Sequence, residues 1–340
     1  MGQTAATERE GRGLFFVAPR RVEIRPTPVP ALGDGEVLVR TSFSGISAGT
    51  EMLAYRGQLD PDLPLDETLG ALGGTFRYPF RYGYSCVGEV EESRAAIVEG
   101  AVVFAFQPHQ DFFVAAAEDV VVLDAVAERE ATLFPLLETA FQITLDAGPL
   151  LGERVVVFGL GVVGALTSLL LRRAGVTVIA VDPLPWRRAM VERLGDPGLD
   201  AVDPSAIHDE LKRHGGERVG LVVEASGNPD ALQASLELLG HEGTVLVASW
   251  YGGNDVSLPL GGAFHRRRLT ITSTQVSTIP ARMSDRWDLE RRRRAVVELL
   301  AELPLGWIAS DAYPFDEAAV AFAALDEQAE GVMHAALGYR

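Results

Sequence analysis

Cysteine is nearly absent from this chain. Cys86 stands alone among 340 residues, so no intrachain disulfide and no cysteine-built zinc lobe can form. Positive charge is also scarce: 30 basic residues face 47 acidic ones, for a net charge of −17. A surface of that sign repels phosphate backbones and anionic headgroups, which excludes nucleic acid and acidic membranes as partners. Long apolar runs are missing as well. The longest apolar region, around Val155–Leu171, is broken by glycines, and none suits a membrane span. Met1–Gly13 is polar and small, without the apolar core of a secretory signal. A disordered N-terminal tail and a cytoplasmic protein are expected. Two basic runs, Arg266–Arg268 and Arg291–Arg294, depart from the acidic balance. The second lies in a helical pattern with Leu289, Val296, Val297, Leu299 and Leu300, and reads as a solvated helix face.

What the chain has in quantity is apolar residues, 47% of the total, enough over 340 residues for two buried cores. Its most informative stretch runs from Arg154 to Asp182. Val155-Val156-Val157-Phe158 reads as a strand and Gly159-Leu160-Gly161-Val162-Val163-Gly164 as a tight turn. Ala165–Leu171 reads as a helix, and Val176–Val181 as a second strand ending on Asp182. Together they make a dinucleotide-binding βαβ unit. Gly159 permits the turn, Gly161 lets backbone approach a pyrophosphate, and Gly164 lets helix and strand pack closely. The helix N-terminus offers free N–H groups and the positive end of its dipole to phosphate. Asp182, about 20 residues on, is placed to bind ribose hydroxyls; a carboxylate there favours NAD over NADP because it repels a 2′-phosphate. Arg187 and Arg188 follow, and either bind the adenosine phosphate side or lie on a helix surface.

Before this unit the chain reads as mostly β. Val22–Ile24, Glu36–Phe43, Tyr84–Val90, Val102–Phe106 and Val120–Leu123 are strand-like and separated by Gly and Pro turns, as in a small barrel. Asp60–Thr75 reads as an irregular excursion, and Glu128–Leu145 as a helix. After Arg154 strands (Val219–Val223, Thr244–Ala248, Leu269–Thr274) alternate with helices (Pro185–Leu194, Asp230–Leu239), the mark of a parallel sheet. Alternation stops near Gln275, and two helical patterns follow, Leu289–Leu303 and Asp316–Gln328.

This order of parts resembles the medium-chain dehydrogenase/reductase superfamily, the alcohol dehydrogenases with a GroES-like catalytic domain. The resemblance rests on Ser44-Gly45-Ile46-Ser47-Ala48-Gly49-Thr50-Glu51, on Tyr82-Gly83-Tyr84-Ser85-Cys86-Val87-Gly88-Glu89-Val90, on Glu138-Thr139-Ala140 and on the glycine fingerprint. It covers nearly the whole chain after residue 13. The Ser-Ala-Gly-Thr-Glu segment, with Gly-Tyr-Ser where zinc members carry Gly-His-Glu, is most similar to the branch containing bacteriochlorophyllide a dehydrogenase. The resemblance implies an α/β protein with a GroES-like β-barrel catalytic domain over 1–140, to which 276–340 return. A Rossmann doubly wound parallel sheet would occupy 141–275. It also implies an NAD(P)-dependent alcohol dehydrogenase-like oxidoreductase acting on a small molecule, and a homodimer. Val256, Leu258 and Leu260 alternate within Gly253–Leu260, which reads as an edge strand across a two-fold or as an internal strand.

The departures bear on the chemistry. Zinc members hold their metal with Cys, His, and Cys or Glu. Here those positions fall on Ser47 or Ala48, on Tyr84, and on Glu138. Ser, Tyr and one Glu do not make a zinc site, so no zinc is expected; a rewired site would draw on His109, Asp111, Glu138 or Glu51. His109 otherwise reads as an ordinary loop histidine. In place of the metal, hydrogen-bond donors must stabilise the alkoxide. Tyr84 would donate to the substrate oxygen, Thr50 would relay its proton, and Ser47, Glu51 and Glu138 would hold the hydroxyls or shuttle protons. Against this, Tyr84 also reads as a strand tyrosine packing between domains, and Ser47 and Thr50 as helix caps. At the strand tips, Ala225, Ser226 and Gly227 are expected near adenosine, and Ser249 and Trp250 near nicotinamide; Trp250 and Tyr251 also read as an interface or substrate wall. Two other functions remain open: zinc-less reduction of an activated C=C bond, as in enoyl and quinone reductases, and a catalytically silent nucleotide-binding protein.

Overall fold

The computed structural model describes residues 9–193, 199–309 and 311–339. Along the chain, β1 (Glu10–Ala18), β2 (Arg21–Pro28) and β3 (Glu36–Ile46) precede α1 (Thr50–Arg56). Next come β4 (Cys86–Ser93), β5 (Val102–Ala105), β6 (Phe112–Ala116), β7 (Val120–Val122) and α2 (Glu128–Ala131). Then α3 (Phe134–Ala147) leads to β8 (Arg154–Phe158), α4 (Val162–Arg173), β9 (Thr177–Val181), α5 (Pro185–Glu192) and β10 (Leu199–Val202). They are followed by α6 (Ile207–Arg213), β11 (Val219–Glu224), α7 (Pro229–Leu238), β12 (Leu239–Val247), α8 (Ala263–Arg266) and β13 (Thr270–Ser273). Last come α9 (Leu289–Glu302), β14 (Asp311–Pro314), α10 (Ala318–Asp326) and β15 (Ala335–Gly338). The chain divides into two compact units, Met1–Pro135 with Val297–Arg340, and Leu136–Val296.

The first unit is the GroES-like β domain. Its seven-stranded sheet runs β14-β15-β3-β4-β5-β7, with β6 also on β3, and β1 and β2 form a separate hairpin. β15 lies antiparallel to β3, setting Leu337 opposite Ser44. That register joins the returning C-terminal segment to β3: the Tyr339 N–H donates to the Ser42 carbonyl at 3.0 Å. β1 holds the segment before β6 through Leu14 N–H to the His109 carbonyl and Asp111 N–H to the Arg12 carbonyl, both 2.9 Å. Beneath lies an aromatic core in which Phe16 stacks on Phe80 at 5.1 Å and meets Phe322 edge-on. Each such ring withdrawn from water contributes about 2–3 kcal/mol. The Asp60–Thr75 excursion has no regular strands, but Leu65 and Leu72 fasten it to this core.

Two expectations change here. Of the tail expected over Met1–Gly13, residues 1–8 lie outside the described residues, and from Glu10 onward the chain is β1, paired residue by residue with β2. The helix expected over Glu128–Leu145 is two helices, α2 and α3, with Thr132 and Leu133 between them. Thr132 bonds back to the Arg129 carbonyl at 2.6 Å, a local alternative to continuing the helix.

The second unit is a Rossmann domain. Six strands, all parallel, run in the order β10-β9-β8-β11-β12-β13. Strand order reverses between β8 and β11, the point where such sheets take ligands at their carboxyl ends. Val155, Val156 and Val157 are fully buried, because helices cover both faces and the strand needs no polar side. Gly253–Leu260 is not a strand; the sheet ends on β13. Residues 276–296 cluster with this unit rather than the first. Arg292 accounts for part of that. It is 1% exposed and donates to Glu138, to Gln142 and to the Val276 carbonyl. The Arg291–Arg294 run is therefore not a solvated face throughout, because Arg292 points inward to the one carboxylate that can neutralise it. Among the described residues no helix is long and apolar enough to cross a membrane.

Candidate active site

The nucleotide half of the site is built from β8, α4, β9 and β11. A Cβ on Gly164 would stand 1.8 Å from the Gly159 carbonyl oxygen, and one on Gly159, whose φ is +88°, 2.6 Å from Ser226 Cα. Both positions therefore require glycine for the fold itself. Gly161 differs, because a Cβ there would meet nothing within 4 Å. Its missing side chain leaves open space at the head of α4, and no side chain caps that helix. Free N–H groups beside an open cradle fit a pyrophosphate. Leu160, Val162 and Val163 lie along this turn, with Leu160 fully buried.

Asp182 is 2% exposed. Its carboxylate accepts from Leu160 N–H at 2.8 Å and Leu184 N–H at 2.9 Å. It thus stitches the glycine turn to the end of β9 and retains lone pairs for a ribose. Arg187 approaches it at 3.6 Å, with an Nε that has no partner. Arg188 is spent on backbone, donating to the Asp182 and Pro183 carbonyls. The residues present thus fit a nicotinamide dinucleotide.

Glu224, which the sequence places only at a strand tip expected near adenosine, organises this part of the site. It ends β11 fully buried, accepting from Ser226 N–H at 2.7 Å, Gly227 N–H at 3.1 Å and the Tyr251 hydroxyl at 2.7 Å. Ser249 accepts from Gly227 N–H at 2.8 Å. The Glu224 carboxylate therefore gathers Ser226, Gly227 and Tyr251, Ser249 joins through Gly227, Ala225 is held by the Phe158 carbonyl, and Trp250 is half-exposed. An acid ending a buried strand before a Gly turn was the available signal.

The first unit holds the hydroxyls. The Ser47 and Thr50 hydroxyls, just before and at the start of α1, lie beside the Tyr84 phenol. Neither residue caps that helix with its side chain, so the capping reading falls away. Burial, then the negative charge of Glu51, pushes the Tyr84 phenol up to about 12, against the two hydroxyl bonds that lower it. At neutral pH Tyr84 is a donor. Glu51, 1% exposed, accepts from Ser47 N–H at 2.8 Å and meets His109 Nε2 at 2.8 Å. Glu138 is not tied to these groups by its hydrogen bonds. It lies in the second unit, and its carboxylate takes the Arg292 guanidinium at 3.0 and 3.1 Å. Burial raises the Glu138 carboxyl, opposed by Arg292 and Arg293.

The donor set does not fit zinc. Ser47 and Tyr84 offer hydroxyls, which are poor zinc ligands. The residues of a rewired site are all engaged elsewhere. Both nitrogens of His109 are taken, by Ser44 and Glu51. Asp111 is held by Arg12 at 2.8 Å and Glu138 by Arg292. The Cys86 thiol is held up by burial. Among the described residues, His, Cys, Asp and Glu converge in a group of three only at Asp200, Glu210 and His214, in the Rossmann domain.

Comparison with known proteins bears on both units. A family model for zinc-binding dehydrogenases matches residues 162–291. D-guloside 3-dehydrogenase of Escherichia coli K12 is 26% identical over 309 residues, covering 84% of this chain and 87% of that protein. The 2-desacetyl-2-hydroxyethyl bacteriochlorophyllide A dehydrogenase of Cereibacter sphaeroides is 25% identical over 257 residues, 70% of this chain and 73% of that one. The crystal structure of L-idonate 5-dehydrogenase from E. coli K-12 superposes with a TM-score of 0.78 at 17% identity, covering 98% and 99% of the two chains. The chain is similar over most of its length to proteins of the zinc-type medium-chain dehydrogenase/reductase superfamily. It is an alcohol dehydrogenase-like oxidoreductase.

Proposed function

We propose that this protein is a zinc-independent, NAD(H)-preferring dehydrogenase that interconverts a secondary alcohol and a ketone on a polyhydroxylated small molecule. The carrying observation is the Ser47–Tyr84–Thr50 hydroxyl cluster, with its phenol held protonated by burial. A protonated donor aimed at a developing alkoxide does electrostatically what a metal does. The polyol class is taken from relatives whose names specify a guloside and an idonate.

The bound nicotinamide supplies or accepts the hydride. Gly161 and the head of α4 receive its pyrophosphate, and Asp182 its ribose hydroxyls. Tyr84 donates to the substrate oxygen, and Thr50 and Ser47 orient that phenol. Preference for NAD rests on Asp182, whose buried carboxylate leaves no place for a 2′-phosphate beside it. A homodimer is part of the same reading: β13 ends the sheet and leaves one backbone edge for a second copy.

The test is a panel of secondary alcohols, sugar derivatives and enones assayed with both cofactors. Reduction of NAD⁺ by a secondary alcohol, at full rate after chelation, is expected. Turnover of enones alone would replace the reading with C=C reduction. Tight NADH binding with no turnover on any member would replace it with a silent nucleotide-binding protein.

A further inference from the structure

The segment that leads to Tyr84 has a second face, and on it lies a pocket of about 380 Å³, wholly within the first unit. Phe80 and Tyr82 turn into the aromatic core, and Tyr84 packs against that same core. Arg81, between them, turns the other way, toward Phe15 of β1 and Gln110. Phe15, Pro79 and Pro108 line the pocket with apolar surface, and the Asp60–Thr75 excursion adds Leu65 and Thr75 to its wall. Leu65 N–H donates to the Gly74 carbonyl at 3.0 Å, which ties that part of the wall together. Gly13 admits the guanidinium: a Cβ there would stand 3.2 Å from Arg81 Nε.

Arg81 differs from the arginines around it. Arg12 is held by Asp111, Arg25 by Glu23, and Arg77, which also lines the pocket, by Asp62. Arg81 has no such acid. Among the described residues the Gln110 side chain is its one hydrogen-bond acceptor, and its Nε is buried with no partner. Burial pushes the guanidinium below its ordinary value. The ionisable groups that act on it are Cys86 and Tyr339, both held neutral by their own burial. A guanidinium carries five donors and keeps its charge. Withdrawing that charge from water with no counter-charge is costly. Water entering the pocket satisfies donors and leaves the charge unbalanced.

We propose that this pocket binds a small organic monocarboxylate, with its carboxylate on Arg81 and its apolar body against Phe15, Pro79 and Pro108. A carboxylate meets both needs of Arg81, because it accepts two parallel bonds from a guanidinium and cancels its charge. The apolar lining favours an organic body over an inorganic ion. One unpaired cation suits one negative charge: Arg77 is already paired with Asp62, and a chain of net charge −17 repels a polyanion. A volume of about 380 Å³ lies within the range of small-molecule sites. Because Arg81 faces away from the Tyr84 side of the segment, this is a second site, and it stands whether or not the proposed activity does.

Benzoate is the probe, with benzamide as its uncharged counterpart and inorganic phosphate as an anion without an apolar body. Titration calorimetry on the full-length protein should show a single benzoate site per chain, unaffected by saturating NADH. Benzamide and phosphate should bind about tenfold more weakly or worse. Arg81→Met keeps an unbranched apolar chain and removes the charge, so benzoate affinity should fall by about tenfold or more, the scale of a hydrogen bond to a charged group. Without benzoate, Arg81→Met should unfold at no lower urea concentration than the parent, because it no longer buries an unbalanced charge. Arg81→Lys keeps the charge without the paired donors, and should bind benzoate more weakly than the parent and more tightly than Arg81→Met. No benzoate binding by the parent at millimolar concentration would overturn the proposal. So would benzoate binding that NADH displaces, that phosphate matches, or that survives intact in Arg81→Met or Arg81→Lys. An Arg81→Met protein that is markedly less stable than the parent, or does not fold, would make Arg81 a structural residue held by Gln110 and overturn the proposal as well. No turnover is measured, so failure of this site and failure of the proposed activity are separately visible.

Discussion

Glu51 and Glu138 are almost equally hidden from water, at 1% and 2% exposure, and their partners set them apart. Glu138 faces Arg292, which is charged at every working pH and equally buried. The pair is closed, has no proton to trade, and binds α3 to α9. Glu51 faces His109, an imidazole hydrogen-bonded onward to Ser44 and, through it, to Tyr339. A buried carboxylate beside a guanidinium is held by a fixed charge, whereas one beside an imidazole belongs to a row of hydrogen bonds.

That contrast is sharpest in stability. Arg292→Met leaves Glu138 uncompensated and should cost about 3–5 kcal/mol in chemical unfolding, while Arg292→Met with Glu138→Leu should regain most of it. A single Arg292→Met variant as stable as the parent would end the scaffold half of the comparison.

A third buried titratable group, His334, supplies a pH-dependent contrast. Burial depresses its pKa from 6.5 to about 4, and its Nδ1 has no partner. The folded state holds the ring neutral, so its contribution is complete above the unfolded value of 6.5. It is lost as pH falls toward 4, for a total of about 3 kcal/mol. Unfolding of His334→Gln and of the parent, compared between about pH 7 and pH 4, should show the variant losing less by that order. Parallel pH profiles would contradict it.

Tyr84→Phe tests the hydroxyl cluster. Removing one donor to a developing oxyanion should lower turnover about a hundredfold, roughly 3 kcal/mol, with NADH affinity unchanged. The smallest effect belongs to the cofactor half. Asp182→Ser should weaken NADH by about tenfold and narrow its advantage over NADPH, each lost hydrogen bond to a charged group costing about 1.5–3 kcal/mol. Because Asp182 also holds Leu160 and Leu184 N–H, some loosening of the glycine turn should accompany it. Equal binding of NADH and NADPH by the parent would remove the basis of that prediction.

How far the sequence is legible follows from the range of the interactions. The Rossmann unit is readable because its signals are local: a buried β-branched strand, glycines at fixed offsets and an acid about 20 residues on. In the first unit β2, β3, β4, β5 and β7 are readable from alternation and turns, whereas the short β6, β14 and β15 are not. β1 was hidden by Gly11 and Gly13, which weaken strand preference until β2 supplies a partner. Within the site, Ser47, Thr50 and Tyr84 were legible through resemblance. His109 was legible as a loop histidine or a metal ligand, not as the partner of Ser44 and Glu51, since Glu51 stands 58 residues away and the Ser44–Tyr339 bond spans 295. Arg292 looked solvated amid four arginines, and only the fold selects which of them turns toward Glu138.

The most direct test of the central claim, hydride transfer supported by hydroxyls in place of a metal, is metal analysis paired with turnover. Protein dialysed against chelator should hold far less than one zinc per chain and oxidise its alcohol with NAD⁺ at the undialysed rate. Close to one tightly held zinc per chain, with activity that disappears on its removal and returns when zinc is added, would contradict the account.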